Sequence, residues 1–285
     1  MPPAVGVAAA LAGARPQRTV FSLFSLANRV VLVTGGHRGI GLEMALAMAE
    51  VGATVYCLDL PAEADADWRK VQSYAAQLPQ LDNTKGRLEY MSGDVTNQEG
   101  MWKAVESIVE REGRIDVCVA NAGISQTIGC LDYPAQEFHK IMDINVSGVF
   151  FTAQAAGRQM VRLGTPGSII LIASMNGSVA NRNQHWSGYN TSKSAVLQMA
   201  RSMACELASN GIRVNTISPG YTHSSMTRIV LQNKPNLEAE LSEQNPLGRF
   251  GRPDELRGVS LWLASDASSF CTGSDIRVDG GQCAW

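Results

Sequence analysis

A tyrosine and a lysine four positions apart, Tyr189 and Lys193, have the spacing best suited to proton transfer in this chain. Residues four apart on a helix share a face, so these two side chains can reach each other. A phenol with a pKa of about 10 exchanges protons poorly at neutral pH, but a nearby ammonium favours the phenolate and lowers that pKa. The pair therefore predicts an acid and base device in which Lys193 lowers the pKa of Tyr189.

Three spaced glycines, Gly35, Gly39 and Gly41, follow the apolar run 30–33 and precede a helical pattern over residues 42–51. This order predicts a strand, a tight turn and a helix start, the arrangement that begins a nucleotide-binding unit. Glycines let the backbone approach a pyrophosphate, and the helix start supplies free N–H groups. The spacing differs from the commonest dinucleotide fingerprint, GxGxxG, and a glycine-rich turn alone is weak evidence.

The elements around these residues predict the fold. Strands such as 30–33 and 169–172 are continuous apolar runs, which are typical of a parallel sheet covered on both faces. Helical periodicity runs over 96–113, with Thr96 and Glu99 as an expected capping box. Strand and helix patterns alternate along the 285 residues with no linker. We expect an α/β fold with a doubly wound parallel sheet in a single domain.

With these elements in place, the chain resembles the short-chain dehydrogenase/reductase family in its compact single-domain form. The family's TGxxxGIG loop matches residues 34–41, and its YxxxK pair matches Tyr189 and Lys193. Further motifs follow in the family's order within residues 25–281: Asp94-Val95, Asn121-Ala122-Gly123, the NVxG motif that begins at Asn145, Ser174 and Pro219-Gly220. The resemblance implies an enzyme that moves a hydride between a nicotinamide and a carbon bearing a hydroxyl or carbonyl.

The resemblance also implies roles for single residues. Tyr189 is the general acid or base, and Lys193 lowers its pKa and holds the nicotinamide ribose. Ser174 stabilises the substrate oxygen, and Asn145 helps to hold a water that links Lys193 to solvent. The cofactor contacts expected are Gly35, His37, Arg38, Gly39, Ile40, Gly41, Asp59, Asp94, Val95, Asn121, Ala122, Gly123, Tyr189, Lys193, Pro219, Gly220 and Thr222.

Each assignment has a structural alternative. Ser174 could be a turn residue at a strand end, Asp94 a helix cap, and Asn145 a locally satisfied polar residue. The residues in this pattern predict no metal site.

Two residues give opposite indications about the cofactor. Asp59 ends the strand predicted over 54–58 and lies 18 residues after Gly41, where a carboxylate binds ribose hydroxyls and repels a 2′-phosphate. Arg38 occupies a position at which NADP(H)-preferring members of the family often carry a basic residue. Because the carboxylate acts more directly, we expect NAD(H), with NADP(H) as the alternative.

The segment between Ser174 and Tyr189 bears on the substrate. It is longer than is usual in the family and offers the polar side chains Asn181, Asn183, Gln184 and His185. A rim rich in amides suits a substrate with several hydroxyls, and the segment resembles that of fungal mannitol, arabinitol, sorbose and xylulose dehydrogenases. A polyol or keto-sugar is therefore expected. The alternatives are an aromatic or polyketide-type secondary metabolite, and a nucleotide-binding scaffold without turnover.

Composition excludes some classes of function. The net charge of −2 and the absence of a basic stripe argue against nucleic-acid binding. No apolar run reaches the roughly 18 residues of a spanning helix, which predicts a soluble, non-membrane protein. Six scattered cysteines indicate a reducing, cytoplasmic location.

The two ends of the chain and one late segment carry further expectations. Residues 1–24 are expected to be a disordered extension before the domain 25–285, with organellar import through the extension as the alternative. Residues 225–246 match the family's variable substrate lid. The family's usual assembly, through helices that correspond to 135–157 and 189–208 and through the apolar tail 272–285, predicts a homotetramer.

Overall fold

Seven parallel strands form one sheet in the computed structural model, which describes residues 6–13, 19–79, 84–232 and 236–285. The strands are β1 (Val30–Thr34), β2 (Thr54–Asp59), β3 (Arg87–Ser92), β4 (Val117–Ala120), β5 (Gly167–Ile172), β6 (Ile212–Pro219) and β7 (Asp275–Val278). Their order across the sheet is β3-β2-β1-β4-β5-β6-β7. The order reverses between β1 and β4, which is where sheets of this kind bind ligands. The predicted α/β, doubly wound parallel sheet is confirmed.

Helices cover both faces of the sheet. They are α1 (Val7–Leu11), α2 (Gly39–Glu50), α3 (Ala66–Ala75), α4 (Gln98–Glu112), α5 (Ala135–Met142), α6 (Gly148–Leu163), α7 (Ser187–Leu207), α8 (Ser225–Leu231), α9 (Leu237–Ser242) and α10 (Arg257–Ala264). A π-helical turn, Asp143–Ser147, joins α5 to α6, so the predicted helix 135–157 is one helical stretch with a wider turn inside it. Such turns are often found at functional sites.

Alternation along the strands explains why the sheet is buried on both sides. In β1, Leu32 packs into the core beneath α4, α6 and α7, whereas Val31 and Val33 pack into the core beneath α2 and α10. Successive side chains of a strand point to opposite faces, so an unbroken apolar run supplies both cores.

The start of α4 differs from the prediction. Asn97 is the N-cap, and its Oδ1 accepts a hydrogen bond from the Gly100 N–H at 2.9 Å. The predicted capping box of Thr96 and Glu99 is wrong, because the Thr96 hydroxyl donates to Asp94 Oδ1 at 2.8 Å instead. The predicted end is confirmed, with Gly113 in the left-handed conformation at φ 74°.

Two expected segments lie only partly within the described residues. Of the extension 1–24, residues 1–5 and 14–18 lie outside them, α1 lies between, and Phe21–Phe24 forms a 3-10 turn. Of the lid 225–246, residues 233–235 lie outside them, and α8 and α9 make up most of the remainder. Disorder of the extension and closure of the lid stay predictions.

Candidate active site

The turn between β1 and α2 is held open by glycines and locked by an asparagine. Gly35 and Gly39 have φ of 66° and 57°, in the left-handed region that side chains avoid. A Cβ on Gly41 would lie 2.2 Å from the Gly35 carbonyl oxygen, so only glycine permits this approach. The Asn121 amide donates to the carbonyls of Thr34 and Gly35 at 3.0 and 3.1 Å. The turn is thereby fixed to the end of β4.

A cavity of about 1400 Å³ lies at the carboxyl end of the strands, beside this turn. Many predicted cofactor residues line it: Gly35, Arg38, Gly39, Ile40, Gly41, Asp59, Asp94, Val95, Asn121, Ala122 and Gly123. A Cβ on Gly39 would meet nothing within 4 Å, so the turn faces open space at the start of α2. The cavity, the glycine turn and the helix start fit a dinucleotide, whose pyrophosphate would lie at the α2 N-terminus.

Asp59, which predicts NAD(H), and Arg38, which predicts NADP(H), both line this cavity. The Asp59 carboxylate accepts hydrogen bonds from the N–H groups of His37 and Leu60 at 3.2 and 2.9 Å. Arg38 is exposed, and within the described ranges its side chain makes no hydrogen bond or ion pair. Asp59 is therefore held in place by the backbone, while the Arg38 guanidinium is available to a ligand.

Asp94 is not the cap of α4, whose N-cap is Asn97, and its contact with a cofactor stays a prediction. It lines the cavity, and its Oδ1 accepts from the N–H and the hydroxyl of Thr96 at 2.9 and 2.8 Å. These bonds close a turn between β3 and α4.

Six predicted cofactor contacts lie away from the lining of this cavity: His37, Tyr189, Lys193, Pro219, Gly220 and Thr222. The His37 imidazole turns to Asp65, with Nε2 3.1 Å from Oδ2. Thr222 is buried, and its hydroxyl donates to the Gly220 carbonyl at 3.1 Å. Gly220 lies after Pro219, against β7, and its N–H donates to the Val278 carbonyl at 2.9 Å. Their contacts with a cofactor stay predictions.

Ser174, Tyr189 and Lys193 are brought together where β5 ends against α7. The Ser174 hydroxyl lies close enough to the Tyr189 phenol to lower its pKa, and the Lys193 Nζ lies 5.8 Å from the centre of the Tyr189 ring. Ser174 and Lys193 are both buried. The strand-end turn and the helix therefore place a hydroxyl, a phenol and an amine in one cluster.

The expected lowering of the Tyr189 pKa by Lys193 is not what this structure shows. Burial raises the pKa of Tyr189, and the nearby Ser174 hydroxyl lowers it by less. The Lys193 amine donates to the Ile172 carbonyl at 2.9 Å, so it is fixed to the strand below the phenol. Burial also lowers the pKa of Lys193 to about 8. At neutral pH Tyr189 consequently keeps its proton, the form that a general acid needs.

Asn145 lies in the π-helical turn and is fully buried. Its Oδ1 accepts from the Ile124 N–H at 2.9 Å, and its Nδ2 donates to the Ile124 carbonyl and to Ser192 Oγ at 2.9 and 3.0 Å. A Cβ on Gly123 would lie 3.1 Å from Asn145 Oδ1 and 3.6 Å from Lys193 Nζ. Gly123 thus leaves room between the Asn145 amide and the Lys193 amine. The Asn145 amide has its hydrogen-bond partners in the surrounding protein, as the structural alternative for this residue predicts.

The amide-rich rim between Ser174 and Tyr189 is only partly present. Asn181 is buried, and its amide donates to the Tyr221 hydroxyl at 2.7 Å. This amide is therefore not free to bind a substrate. His185 is exposed, as is Asn183, which has a φ of 58°. Aromatic rings lie behind them instead: Trp186 lies 6.2 Å from Tyr221 between ring centres.

Sequence reasoning missed a further part of the cavity wall. Its residues come from α5 and the π-helical turn: Gln136, Glu137, His139, Lys140, Asp143, Ile144 and Ser147. Their spacing of three or four positions along α5 and the turn was the available signal, since such residues share one helical face. Ser225, Met226 and Ile229 of α8 also line the cavity, and they belong to the segment 225–246 that was expected to be the lid.

Comparisons with known proteins agree with this geometry. A family model described as enoyl-(acyl carrier protein) reductase matches residues 35–282. A sorbose reductase of Schizosaccharomyces pombe is 40% identical, over 92% of this chain and 99% of its own length. A crystal structure of a short-chain type dehydrogenase/reductase from Mycobacterium marinum has a TM-score of 0.85 and 41% identity, covering 93% of this chain and 99% of that one.

A third protein is similar but carries a different substrate in its name. The crystal structure of an NADPH-dependent 3-quinuclidinone reductase from Rhodotorula rubra has a TM-score of 0.82 and 33% identity, covering 95% of this chain and 98% of that one. Within the described ranges, every helix is too short or too polar to cross a bilayer. Fold, motifs and relatives agree, and the chain belongs to the short-chain dehydrogenase/reductase family.

Proposed function

We propose that this protein is an NAD(P)-dependent oxidoreductase that transfers a hydride between the nicotinamide and a secondary alcohol or ketone of a polyol or keto-sugar. The observation that carries the proposal is the cluster formed by the Ser174 hydroxyl, the Tyr189 phenol and the buried Lys193 amine. The cofactor, when bound, supplies the hydride, and the protein supplies proton transfer and positioning.

In the reducing direction, Tyr189 donates its proton to the ketone oxygen as that oxygen gains negative charge. The Ser174 hydroxyl, which lies beside the same phenol, donates a hydrogen bond to that oxygen and stabilises it. Lys193 lies near the ring with its amine held by the Ile172 carbonyl, where it would hold the nicotinamide ribose. Oxidation uses the same groups in reverse, with Tyr189 as the base.

The sorbose reductase supports a keto-sugar or polyol as the substrate class. Exposed polar side chains remain at the rim, namely Asn183 and His185, and the charged side chains of α5 face the cavity. Hydroxyl groups of a substrate would find donors and acceptors there.

A second candidate substrate is an aromatic or otherwise ring-shaped ketone. The specific observation in its favour is the aromatic cluster beside Tyr189, in which Trp186 approaches Tyr221, and Tyr221 stacks on Phe250 at 5.2 Å between ring centres. A relative with this fold, the 3-quinuclidinone reductase, is named for the ketone that it reduces.

Cofactor preference depends on Asp59 and Arg38. A fixed carboxylate in the cavity wall supports NAD(H), whereas the NADPH in the name of the Rhodotorula rubra relative supports NADP(H). We keep NAD(H) as the prediction because Asp59 would repel a 2′-phosphate directly. A kcat/KM for NADPH well above that for NADH would overturn it.

We propose two further properties of the protein, its assembly and its location. The exposed apolar side chains of Phe150 on α6 and Trp285 at the C-terminus support burial in a homotetramer, which light scattering tests. Six free cysteines, of which Cys57 and Cys118 are buried, support a reducing cytoplasmic location.

The decisive assay follows the absorbance of the reduced nicotinamide. Wild type and Tyr189→Phe are each mixed with NADH or NADPH and with sorbose, other ketoses and aromatic ketones, and the reverse reaction is run with polyols. The proposal expects turnover of a ketose by the wild type alone. Preference for aromatic ketones would favour the second candidate, and binding of NADH without turnover on any substrate would favour a non-catalytic nucleotide-binding scaffold.

A further inference from the structure

A chain of buried amides runs beside the catalytic cluster. Asn176, in the turn after β5, is 4% exposed, and its Nδ2 donates to the side-chain oxygens of Asn181 at 2.6 Å and Asn190 at 2.9 Å. The Asn181 Nδ2 in turn donates to the Tyr221 hydroxyl at 2.7 Å. Both hydrogens of the Asn176 amide are therefore used, and we call these four side chains the amide chain.

The amide chain joins the segments that carry Ser174, Tyr189 and Gly220. Asn176 donates its backbone N–H to Ser174 Oγ at 3.2 Å. Asn190 follows Tyr189 directly in α7, and Tyr221 follows Gly220 after β6. One side chain, Asn176, thus joins the serine, the helical turn of the tyrosine and, through Asn181, the segment after β6.

Two further contacts show that this turn is fitted closely to α7. A Cβ on Gly177 would lie 2.8 Å from the Lys193 carbonyl oxygen, and the Ser194 hydroxyl donates to the Gly177 carbonyl at 2.7 Å. These contacts fix the turn against the helix backbone. The Asn176 side chain adds a bond to Asn190, in the helical turn that carries Tyr189.

The far end of the amide chain is also held rigidly. The Tyr221 ring stacks on Phe250 with an angle of 15° between the rings, and it approaches Trp186 at the start of α7. Burial raises the pKa of Tyr221 to about 12, so the phenol stays neutral and can keep accepting the Asn181 hydrogen bond without adding a charge.

We propose that Asn176 is a positioning residue of the hydride-transfer reaction, which fixes the Ser174 hydroxyl and the Tyr189 phenol relative to each other through the amide chain. The inference rests on the proposed function and deepens it. Because Ser174 and Tyr189 must meet the same substrate oxygen, a small displacement of either group lowers the fraction of productive complexes and reduces kcat. The glycine turn and Asp59, which are expected to hold the pyrophosphate and a ribose, lie on other elements, so the affinity for NADH should change little when Asn176 is replaced.

The test compares Asn176→Ala with Asn215→Ala, a matched loss of another buried amide. Asn215 lies in β6, is fully buried, and uses its amide to hold the Cys271 carbonyl at 2.8 Å and the Ser274 N–H at 3.1 Å, away from the catalytic groups. Each variant is assayed with the ketone of highest turnover in the substrate panel. Rates are expressed per cofactor-binding site, counted by titration of NADH fluorescence, so that unfolded protein does not contribute.

We expect Asn176→Ala to lower kcat by roughly 10- to 100-fold while the NADH dissociation constant changes less than about threefold. Asn215→Ala should lower thermal stability and leave kcat per site unchanged. A wild-type kcat per site in Asn176→Ala, or equal losses in both variants, would overturn the proposal.

A second variant keeps the test decisive if Asn176→Ala does not fold. Asn190 is half-buried on α7, and Asn190→Ala removes only the link between the turn and the tyrosine while adding a good helix former. Loss of a hydrogen bond of about 1 kcal/mol in the productive geometry corresponds to a kcat about fivefold lower. An unchanged kcat in this variant contradicts the proposal.

Tyr189→Phe separates this inference from the proposed function. If Tyr189→Phe retains turnover, the proposed function fails. If Tyr189→Phe is inactive and Asn176→Ala is unaffected, only the positioning role fails.

Discussion

Burial of the Lys193 amine predicts a measurable effect on stability. The amine lies in a fully buried position, its pKa is lowered to about 8, and it keeps one hydrogen bond, to the Ile172 carbonyl. In the unfolded chain the same group has its ordinary pKa of 10.5. Lys193→Met keeps a similar length and removes the charge, so comparing it with wild type isolates the titration of this one group.

The direction of the pH effect on stability follows from where Lys193 binds a proton more tightly, in the folded or the unfolded protein. Between pH 8 and 10.5 the unfolded chain holds a proton on Lys193 that the folded protein has released, so wild-type stability rises with pH in this window. Below pH 8 Lys193 is protonated in both the folded and the unfolded protein, and burial of its charge then lowers the free energy of unfolding by the full amount. From pH 7 to pH 10 this group should therefore stabilise wild type relative to Lys193→Met by roughly 2 to 3 kcal/mol.

The assay is urea unfolding of both proteins without cofactor at pH 7 and pH 10, at equal concentrations. At pH 7 we expect Lys193→Met to be the more stable protein, because it lacks a buried ammonium. At pH 10 most of this advantage should disappear, since wild type then carries a largely neutral amine that still bonds to Ile172. A difference in unfolding free energy that stays constant between the two pH values would refute the reasoning.

Three other predictions test the cofactor turn and the fold. Gly41→Ala forces a Cβ against the Gly35 carbonyl oxygen, so it should lower the stability of the folded protein by roughly 1–3 kcal/mol and abolish NADH binding. The control is Gly258→Ala, at an exposed helical position where a Cβ meets nothing within 4 Å, and it should raise the stability of the folded protein. Thermal melting and NADH titration measure both effects, and equal behaviour of the two variants contradicts the turn geometry. Asn97→Ala should cost about 1 kcal/mol in urea unfolding, and no loss would argue against Asn97 as the cap of α4. Asp59→Ala should narrow the kcat/KM gap between NADH and NADPH, and an unchanged ratio would remove Asp59 from cofactor selection.

The framework of the site could be predicted because its signals are local. The apolar run of β1, the glycines after it and the tyrosine and lysine on one helical face are each contained in a few consecutive residues. Parallel strands then carry their loops to one edge of the sheet, so the order of motifs along the chain predicts their meeting in space.

Features that depend on distant partners could not be predicted. Asn181 was expected at the rim, but its partner is the Tyr221 hydroxyl, 40 positions later in the chain. The pKa of Tyr189 was expected to fall because Lys193 is near in sequence, yet burial by the surrounding elements dominates and raises it. At the start of α4, Thr96 and Asn97 are adjacent and both residue types suit an N-cap. Their hydrogen bonds distinguish them, because Asn97 accepts from the Gly100 N–H whereas the Thr96 hydroxyl donates to Asp94.

The central claim is that the Tyr189 phenol moves the proton while the cofactor moves the hydride. Its most direct measurement is the kcat of Tyr189→Phe with the best ketone of the panel, beside the NADH dissociation constant of the same variant. We predict a kcat lower by about 100-fold or more with NADH affinity retained, because the substitution removes only the reacting hydroxyl. A variant that binds NADH and reduces the ketone at the wild-type rate would contradict the account.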